Sequence, residues 1–133
     1  MRRSIWDTDS PTQSFRYCLS LFNMTRAVFW IENDDYKGFD ISGHSMNAAS
    51  GKDIVCAAIS AMTMLVVNTI CEAYSQKAAT AVCEESTMVR FLLKDKHIQS
   101  VGLIKSFHNE LAALEKDYPE NLMIIVRNIL ERE

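Results

Sequence analysis

The chain has 133 residues and a net charge of −3, and 48% of its residues are hydrophobic. This length fits one domain with one modest core, and the hydrophobic share argues against an intrinsically disordered chain. The sequence shows no dense block of Lys or Arg, so we expect no direct nucleic-acid binding of the kind that neutralises phosphates.

The four cysteines, at positions 18, 56, 71 and 83, form no C-x-x-C pair and no His/Cys group with zinc spacing. We therefore predict no metal site and no other cofactor. The apolar stretch over residues 15–22 is too short for the core of a secretory signal. Reduced thiols and a cytoplasmic protein are expected.

Residues 1–23 are mixed in character and have no clean period, whereas a well-patterned domain begins at Met24. We predict a domain over residues 24–133. Residues 1–23 are interpreted as a disordered N-terminal extension or as the product of a misassigned start codon. The alternative is a short helix over residues 16–23 that packs on the domain.

The first predicted elements form a hairpin followed by a helix. Residues 27–31 are β-branched and aromatic, residues 33–35 read Asn-Asp-Asp, and residues 38–42 alternate apolar and polar. This pattern predicts two strands joined by a turn, the second strand half-buried. Asp53 suits the N-cap of the next helix, which should reach about Tyr74.

The segment from Ile54 to Cys71 carries no charge and is long enough to cross a membrane. It also contains Ser60, Thr63 and Asn68, which would be costly in lipid. We therefore predict a helix that is buried within protein and no membrane association. Because so small a domain cannot cover such a helix on all sides, a homodimer is expected.

The second half of the chain predicts two strands, a helix and a final apolar run. Residues 79–84 and 88–93 are strand-like, and residues 97–117 have apolar side chains at helical spacing, from Ile98 to Leu114, before Pro119. Residues 122–126 suit a strand or a short helix. The resulting order, strand-strand-helix-strand-strand-helix, predicts a small two-layer α+β domain with an antiparallel sheet and two main helices, dimerising through its helix layer.

The pair His44 and Cys56 is the candidate site. His44 follows Gly43 at a strand end, and Cys56 is placed by the predicted helix in its first turn. Unpaired N–H groups there can stabilise a thiolate, and an imidazole can take the thiol proton. Asp53 would either cap the helix or orient His44, as the third member of a triad.

The other polar side chains have plainer interpretations. Ser60 lies one helical turn after Cys56 and would support the site or bond back to its own helix. His97 and His108 are interpreted as solvated, and Cys71, Cys83 and Trp30 as part of the core.

The segment Ser-Gly-His, a short loop, and then Asp-Ile-Val-Cys-Ala-Ala-Ile-Ser resembles the ribosomal-processing cysteine protease family Prp. The stretch from Leu114 to Pro119, in which an acidic run leads into Tyr-Pro, is similar to the end of a helix in that family. The resemblance covers residues 24–123. Ser45 and the loop that follows it depart from the family pattern, which bears on substrate preference.

The resemblance implies a homodimeric bacterial endopeptidase that trims an N-terminal extension from large-subunit ribosomal protein twenty-seven. It implies His44 as base, Cys56 as nucleophile and Asp53 as a supporting residue. Residues 45–52, among them Ser45, Asn47 and Gly51, would form a substrate-gating loop. The rival hypothesis is a non-catalytic, ribosome-associated binding module; a thiol redox sensor is a third, although no resolving cysteine lies near Cys56 in sequence.

Overall fold

The structure is a computed structural model that describes residues 24–43, 50–83 and 88–129, with the backbone alone described at residues 50–53 and 83. Its strands and helices follow the predicted order and add a fifth strand. They are β1 (Thr25–Glu32), β2 (Asp35–Ser42), α1 (Ser50–Asn68, continued by a π-helical turn, Thr69–Ala73), β3 (Ala78–Cys83), β4 (Met88–Leu93), α2 (Ile98–Asp117) and β5 (Leu122–Asn128).

The five strands form one sheet in the order β3-β4-β2-β1-β5. Strands β1 to β4 pair antiparallel, as predicted, but β5 pairs parallel with β1. The reason is the connection through α2, because a helix between two strands can carry the chain back across the sheet and start the next strand at the same end. The predicted α+β class with two helices is confirmed, and the final apolar run is a strand.

The β1–β2 hairpin is closed by a two-residue turn in which Asn33 and Asp34 have φ values of 53° and 67°. Positive φ at both central residues is the type I′ geometry that suits a two-residue hairpin. A bulge follows, since Trp30 pairs with Gly38 but Ile31 pairs with Tyr36. The extra residue rotates Tyr36 onto the side of the sheet that carries the helices.

One continuous core lies between the sheet and both helices. Its centre is a group of aromatic rings, in which the Phe107 ring of α2 meets Phe29 and Phe39 edge-on, at centroid distances of 5.6 and 5.0 Å. Edge-to-face contacts of this kind add to the free energy gained by burial. The helical members of the core are Val55, Ile59, Val66, Val67, Ile70, Ile104, Phe107 and Leu111. Both helices therefore pack on the same face of the sheet.

Strand β2 is more buried than its alternating pattern predicts, because Gly38 and Asp40 are also buried. A Cβ on Gly38 would lie 2.0 Å from the carbonyl oxygen of Phe91, so only glycine allows β2 and β4 this approach. Asp40 is buried because Arg90 on β4 pairs with it. Tertiary partners therefore decide the burial of this strand.

Helix α2 has the predicted length, but its buried side does not begin at the predicted residue. Ile98, predicted to face the core, is 80% exposed, and Ser100 is buried instead. His97 caps the helix, since its Nδ1 accepts a hydrogen bond from the Ser100 backbone N–H at 3.2 Å. The cap fixes the first turn, so the expectation of a solvated His97 is replaced by a capping role.

The described part of the chain covers helix α1 on one side only. The stretch Ile54–Ala73 is apolar and long enough to cross a membrane by length and composition, and 39% of its most apolar window is buried inside the protein. Its buried side belongs to the core described above. On the outer side, Ile54 is 59% exposed and Leu65 is 66% exposed. Within one chain, the helix is therefore buried on its inner side, as predicted, and exposed on its outer side.

Candidate active site

Gly43 fixes the point at which the chain leaves β2 towards His44. Its φ is +81°, and a Cβ there would lie 2.5 Å from the carbonyl oxygen of Met24. The Gly43 carbonyl also accepts a hydrogen bond from the hydroxyl of Thr25 at 3.4 Å. Any other residue would be strained by its φ and would collide with the start of β1. The end of β2 is therefore held rigidly where the candidate site begins.

Helix α1 starts earlier than predicted, at Ser50, so Asp53 is not its N-cap but lies within its first turn. The sequence signal for this start is the spacing of Ser50 and Asp53, which follows the capping-box pattern of a hydroxyl residue three positions before an acidic one. An acidic residue in the first turn is favoured by the helix dipole. The prediction that Asp53 is the N-cap residue is therefore wrong, and the role of its side chain stays a prediction.

The same boundary moves Cys56 into the second turn of α1. Unpaired backbone N–H groups belong to the first turn of a helix, and the dipole effect falls off over the same distance. The Cys56 N–H is therefore not one of the unpaired donors, and the predicted position of Cys56 in the first turn is wrong. The role of His44 in activating this thiol stays a prediction.

Cys56 lies at the edge of the buried side of α1. Its neighbours Val55 and Ile59 are completely covered, Ala57 faces solvent, and Cys56 itself is 8% exposed. Cys56 is a thiol, not half of a disulfide. A cysteine wholly inside the core would be chemically inert, whereas one at the core margin can be reached through a small opening.

The remaining predicted site residues divide into three groups. His44, Ser45 and Asn47 lie outside the described residues. Gly51 and Asp53 are described by backbone position, in the first turn of α1. Ser60 is half-buried, one turn after Cys56.

The hydroxyl that bonds back to its own helix is that of Thr63, which donates to the Ile59 carbonyl at 2.7 Å. A hydrogen bond of this kind, to the preceding turn of the same helix, was one of the two alternatives predicted for Ser60.

Two polar clusters were not predicted from the sequence. The first joins Asp40 to Arg90 through two hydrogen bonds of 2.9 and 2.8 Å, and the guanidinium carbon lies 6.0 Å from the centre of the Trp30 ring. Hydrogen bonding to Asp40 raises the pKa of Arg90. A two-pronged pair of this kind holds both side chains in one geometry.

The second cluster corrects the interpretation of His108 as solvated. The His108 ring stacks on Phe29 at a centroid distance of 4.7 Å, and its Nδ1 lies 2.7 Å from the Tyr36 hydroxyl. Burial lowers the pKa of His108, an effect that the charge of Glu115 partly offsets. Burial also raises the pKa of Tyr36. Because α1 and Cys56 take no part in these contacts, the cluster is a structural element of the α2 side.

A cleft of about 200 Å³ opens at the end of the sheet that carries the β1–β2 turn. Its floor includes Tyr36, Leu93 and Val101, and Lys96 bridges its rim to Asp35 at 2.7 Å. The cleft is far along the sheet from Gly43 and is a separate feature from the candidate site. Among the described residues, no group of three or more His, Cys, Asp and Glu side chains could hold a metal ion.

The sequence profile of the family described as cysteine protease Prp matches residues 24–123, which include every candidate site residue. The chain belongs to the cysteine protease Prp family. It is accordingly a cysteine protease, and the resemblance found from its sequence is confirmed. No functionally curated protein is similar enough to count as a match.

Solved structures share the fold. The Prp ribosomal processing protease of Staphylococcus aureus, in complex with a substrate peptide, superposes with a TM-score of 0.71 at 19% identity, over 77% of this chain and 99% of that one. SMU.848 from Streptococcus mutans gives a TM-score of 0.70 at 20% identity, over 79% of this chain and 98% of that one. Nearly the whole length of each of these two structures is therefore matched by this chain.

Proposed function

We propose that this Prp-family protein is a cysteine endopeptidase in which Cys56 is the nucleophile and His44 is the general base and acid. The observation that carries the proposal is the position of the Cys56 thiol at the margin of the core, within the part of the chain that matches the family. Support comes from Gly43, whose fixed backbone sets the end of β2 immediately before His44 in the sequence.

The chemistry follows from these two side chains. His44 takes the thiol proton, and the sulfur of Cys56 attacks the carbonyl carbon of the scissile peptide bond. The tetrahedral intermediate collapses to a thioester, the C–N bond breaks, and His44 protonates the leaving amine. Water, deprotonated by His44, then attacks the thioester and releases the acid product and the thiol.

His44 carries more of the activation than the sequence alone suggested, because Cys56 lies beyond the first turn of α1. Asp53 is assigned a supporting role. Ser60, half-buried one turn from Cys56, is assigned a second supporting role. Ser45 and Asn47 belong to the proposed substrate-gating loop, whose movement would admit a peptide. The helix begins at Ser50, so Gly51, predicted in this loop, lies in the first turn of α1 at the end of the loop.

The proposed substrate is the precursor of large-subunit ribosomal protein twenty-seven, from which the enzyme removes an N-terminal extension in the bacterial cytoplasm. Support comes from the family and from the S. aureus relative, a ribosomal processing protease crystallised with a substrate peptide. The departures of Ser45 and the following loop from the family pattern point to an altered preference around the scissile bond.

The proposal includes a homodimer formed through the outer side of α1. Ile54 and Leu65 are the most exposed apolar residues of this helix, and Ala57 and Ala61 lie exposed on the same side. An exposed apolar stripe of this kind is typical of a surface that packs against another protein. Its small residues allow two helices to approach closely. The opposite side of α1 packs into the core of the domain, which favours a protein partner over lipid.

The test is cleavage of a purified ribosomal precursor that carries the extension. We expect Cys56→Ala and His44→Ala to abolish cleavage, and Cys71→Ala, which changes the other described thiol of the same helical segment, to retain it. Circular dichroism of each variant separates lost chemistry from lost folding. Cleavage by Cys56→Ala at the wild-type rate would exclude Cys56 as the nucleophile, whereas a wild-type protein that does not cleave the precursor would favour the rival function, a non-catalytic ribosome-associated binding module.

A further inference from the structure

Strand β3 is an edge strand of the sheet, because β4 is its only neighbour among the described strands. In an antiparallel pair, every second residue of an edge strand points its backbone N–H and C=O groups away from the neighbouring strand. The six residues of β3 therefore present a row of backbone donors and acceptors at the side of the sheet. Such a row is a template for pairing with another strand.

Strand β3 lacks the features that usually protect an edge. Ala78–Cys83 contains no charged residue and no proline, and its register with β4 is regular over its whole length. Thr80 and Ala81 are exposed, and Val82 is 41% exposed. Natural sheets protect their edges with charged side chains, proline or bulges, and the opposite edge strand, β5, carries the exposed Arg127. The difference marks β3 as the edge that is suited to pairing.

The outer side of α1 lies on the same flank of the domain as β3. Helix α2 contacts β2 and β5, and α1 packs beside α2. Helix α1 therefore lies towards β4 and β3, and residues 74–77 connect its π-helical turn to β3. Val82 pairs with the buried Val89, so the exposed Val82 side chain is on the helix side of the sheet. Val82 thus extends the exposed apolar surface of α1 towards the edge of the sheet.

The outer side of α1 is too small to hold a dimer by itself. From Ile54 to Leu65 the helix rises about 17 Å, and a helix is roughly 10 Å wide, which gives a strip of about 170 Å². Even if the relief of the side chains doubles this area, the strip falls short of the roughly 800 Å² that each partner buries in a specific interface. A stable dimer therefore needs a further surface, and β3, about 20 Å long, lies beside the strip.

We propose that β3 pairs antiparallel with β3 of a second copy about a twofold axis, so that the two sheets become continuous and the two α1 helices pack across the same axis. A twofold axis brings each residue near it close to its own copy. An uncharged strand suits this arrangement, because like charges directly opposite each other would destabilise it. The inference rests on the homodimer of the proposed function and adds the strand that completes its interface, but it does not depend on the chemistry of Cys56.

Hydrogen exchange of the wild-type protein tests the pairing directly. The outward N–H groups of β3 should exchange at least about tenfold more slowly at protein concentrations that favour the dimer than at those that favour the monomer. The amides of α1 are bonded within their helix and should change little. Mass spectrometry of peptides that cover Ala78–Cys83 measures the difference. Equal exchange of β3 in monomer and dimer would overturn the proposal, as would protection of the monomer by added precursor peptide, since an extended peptide would then be the occupant.

A pair of matched variants gives a second measurement. Thr80→Lys places a charge near its own copy and should weaken dimerisation at least about tenfold, measured by analytical ultracentrifugation. Val126→Lys places the same charge on the opposite edge strand, where Val126 is 52% exposed, and should leave the dimer intact. Circular dichroism checks that both variants fold. If Thr80→Lys dimerises like the wild type while Leu65→Asp does not, the homodimer stands and the strand pairing is wrong. A wild type that is monomeric throughout overturns both, whatever its cleavage activity.

Discussion

The two helices have nearly the same length and pack on the same side of the sheet, yet their outer surfaces are opposite in character. Helix α2 exposes Lys105, Glu110 and Lys116, whereas α1 exposes Ile54 and Leu65. Both helices bury comparable apolar residues against the sheet. The difference marks the outer side of α2 as a surface suited to water, and it supports the proposal that α1, which also carries the proposed nucleophile, meets another protein surface.

The largest expected effect concerns the buried side of α2. Phe107→Ala should lower the free energy of unfolding by about 3–5 kcal/mol, because it removes a ring that contacts Phe29 and Phe39 and leaves a cavity. Urea denaturation measures this loss. Ser106→Ala, on the exposed side of the same helix, should change stability by less than about 0.5 kcal/mol. Comparable losses for the two would mean that α2 is not held by its buried side.

The outer side of α1 gives the next effect. Leu65→Asp should weaken dimerisation by at least about a hundredfold, since burial of each leucine contributes about 1.5–3 kcal/mol and a symmetric interface buries two copies. Lys105→Glu, on the outer side of α2, should leave the dimer intact. Analytical ultracentrifugation over a dilution series measures both. A Leu65→Asp protein that dimerises like the wild type would exclude α1 as the interface.

A smaller effect separates the two cysteines of the α1 segment. If His44 ionises Cys56, iodoacetamide should modify Cys56 about tenfold faster than Cys71 at neutral pH, because only thiolate reacts. Peptide mass spectrometry resolves the two sites. His44→Ala should bring the Cys56 rate down to that of Cys71. Equal rates in the wild type would favour the binding-module hypothesis.

The smallest expected effect is a pH dependence of stability that comes from His108 on α2. Burial lowers the pKa of His108, so the unfolded chain binds a proton more readily than the folded one as the pH falls below about 6.5. Stability from this residue is therefore present at higher pH and is lost as the pH falls towards the folded-state pKa. His108→Phe keeps a ring against Phe29 and should flatten the loss between pH 7 and 5, measured by thermal unfolding. An unchanged pH profile would contradict this assignment.

The elements with strong local patterns could be predicted from the sequence. Alternation in β4 places Val89, Phe91 and Leu93 on one face, and the hairpin turn follows from Asn33 and Asp34. In both cases, residues within the element itself specify the feature, without contacts to distant residues. The family could be recognised as well, because its motif lies within one short stretch of the chain.

Features that depend on distant partners could not be predicted. The burial of Asp40 requires Arg90, fifty positions later, and the environment of His108 requires Tyr36. The parallel pairing of β5 depends on how α2 crosses the sheet. For the site, the exact start of α1 decided how much a helix terminus could contribute to Cys56, and the Ser50–Asp53 spacing was the signal that could have located it.

The parallel pairing of β5 has a consequence for the order of folding during synthesis. The β1–β2 hairpin can form as soon as its residues leave the ribosome, but Thr25 pairs with Leu122, so β1 has no neighbour on its other side until nearly the whole chain has emerged. Long-range pairing of this kind slows folding and prolongs the exposure of an unpaired strand edge. A nascent chain halted before β5 therefore has a complete hairpin with an open flank, and becomes prone to aggregation at that flank.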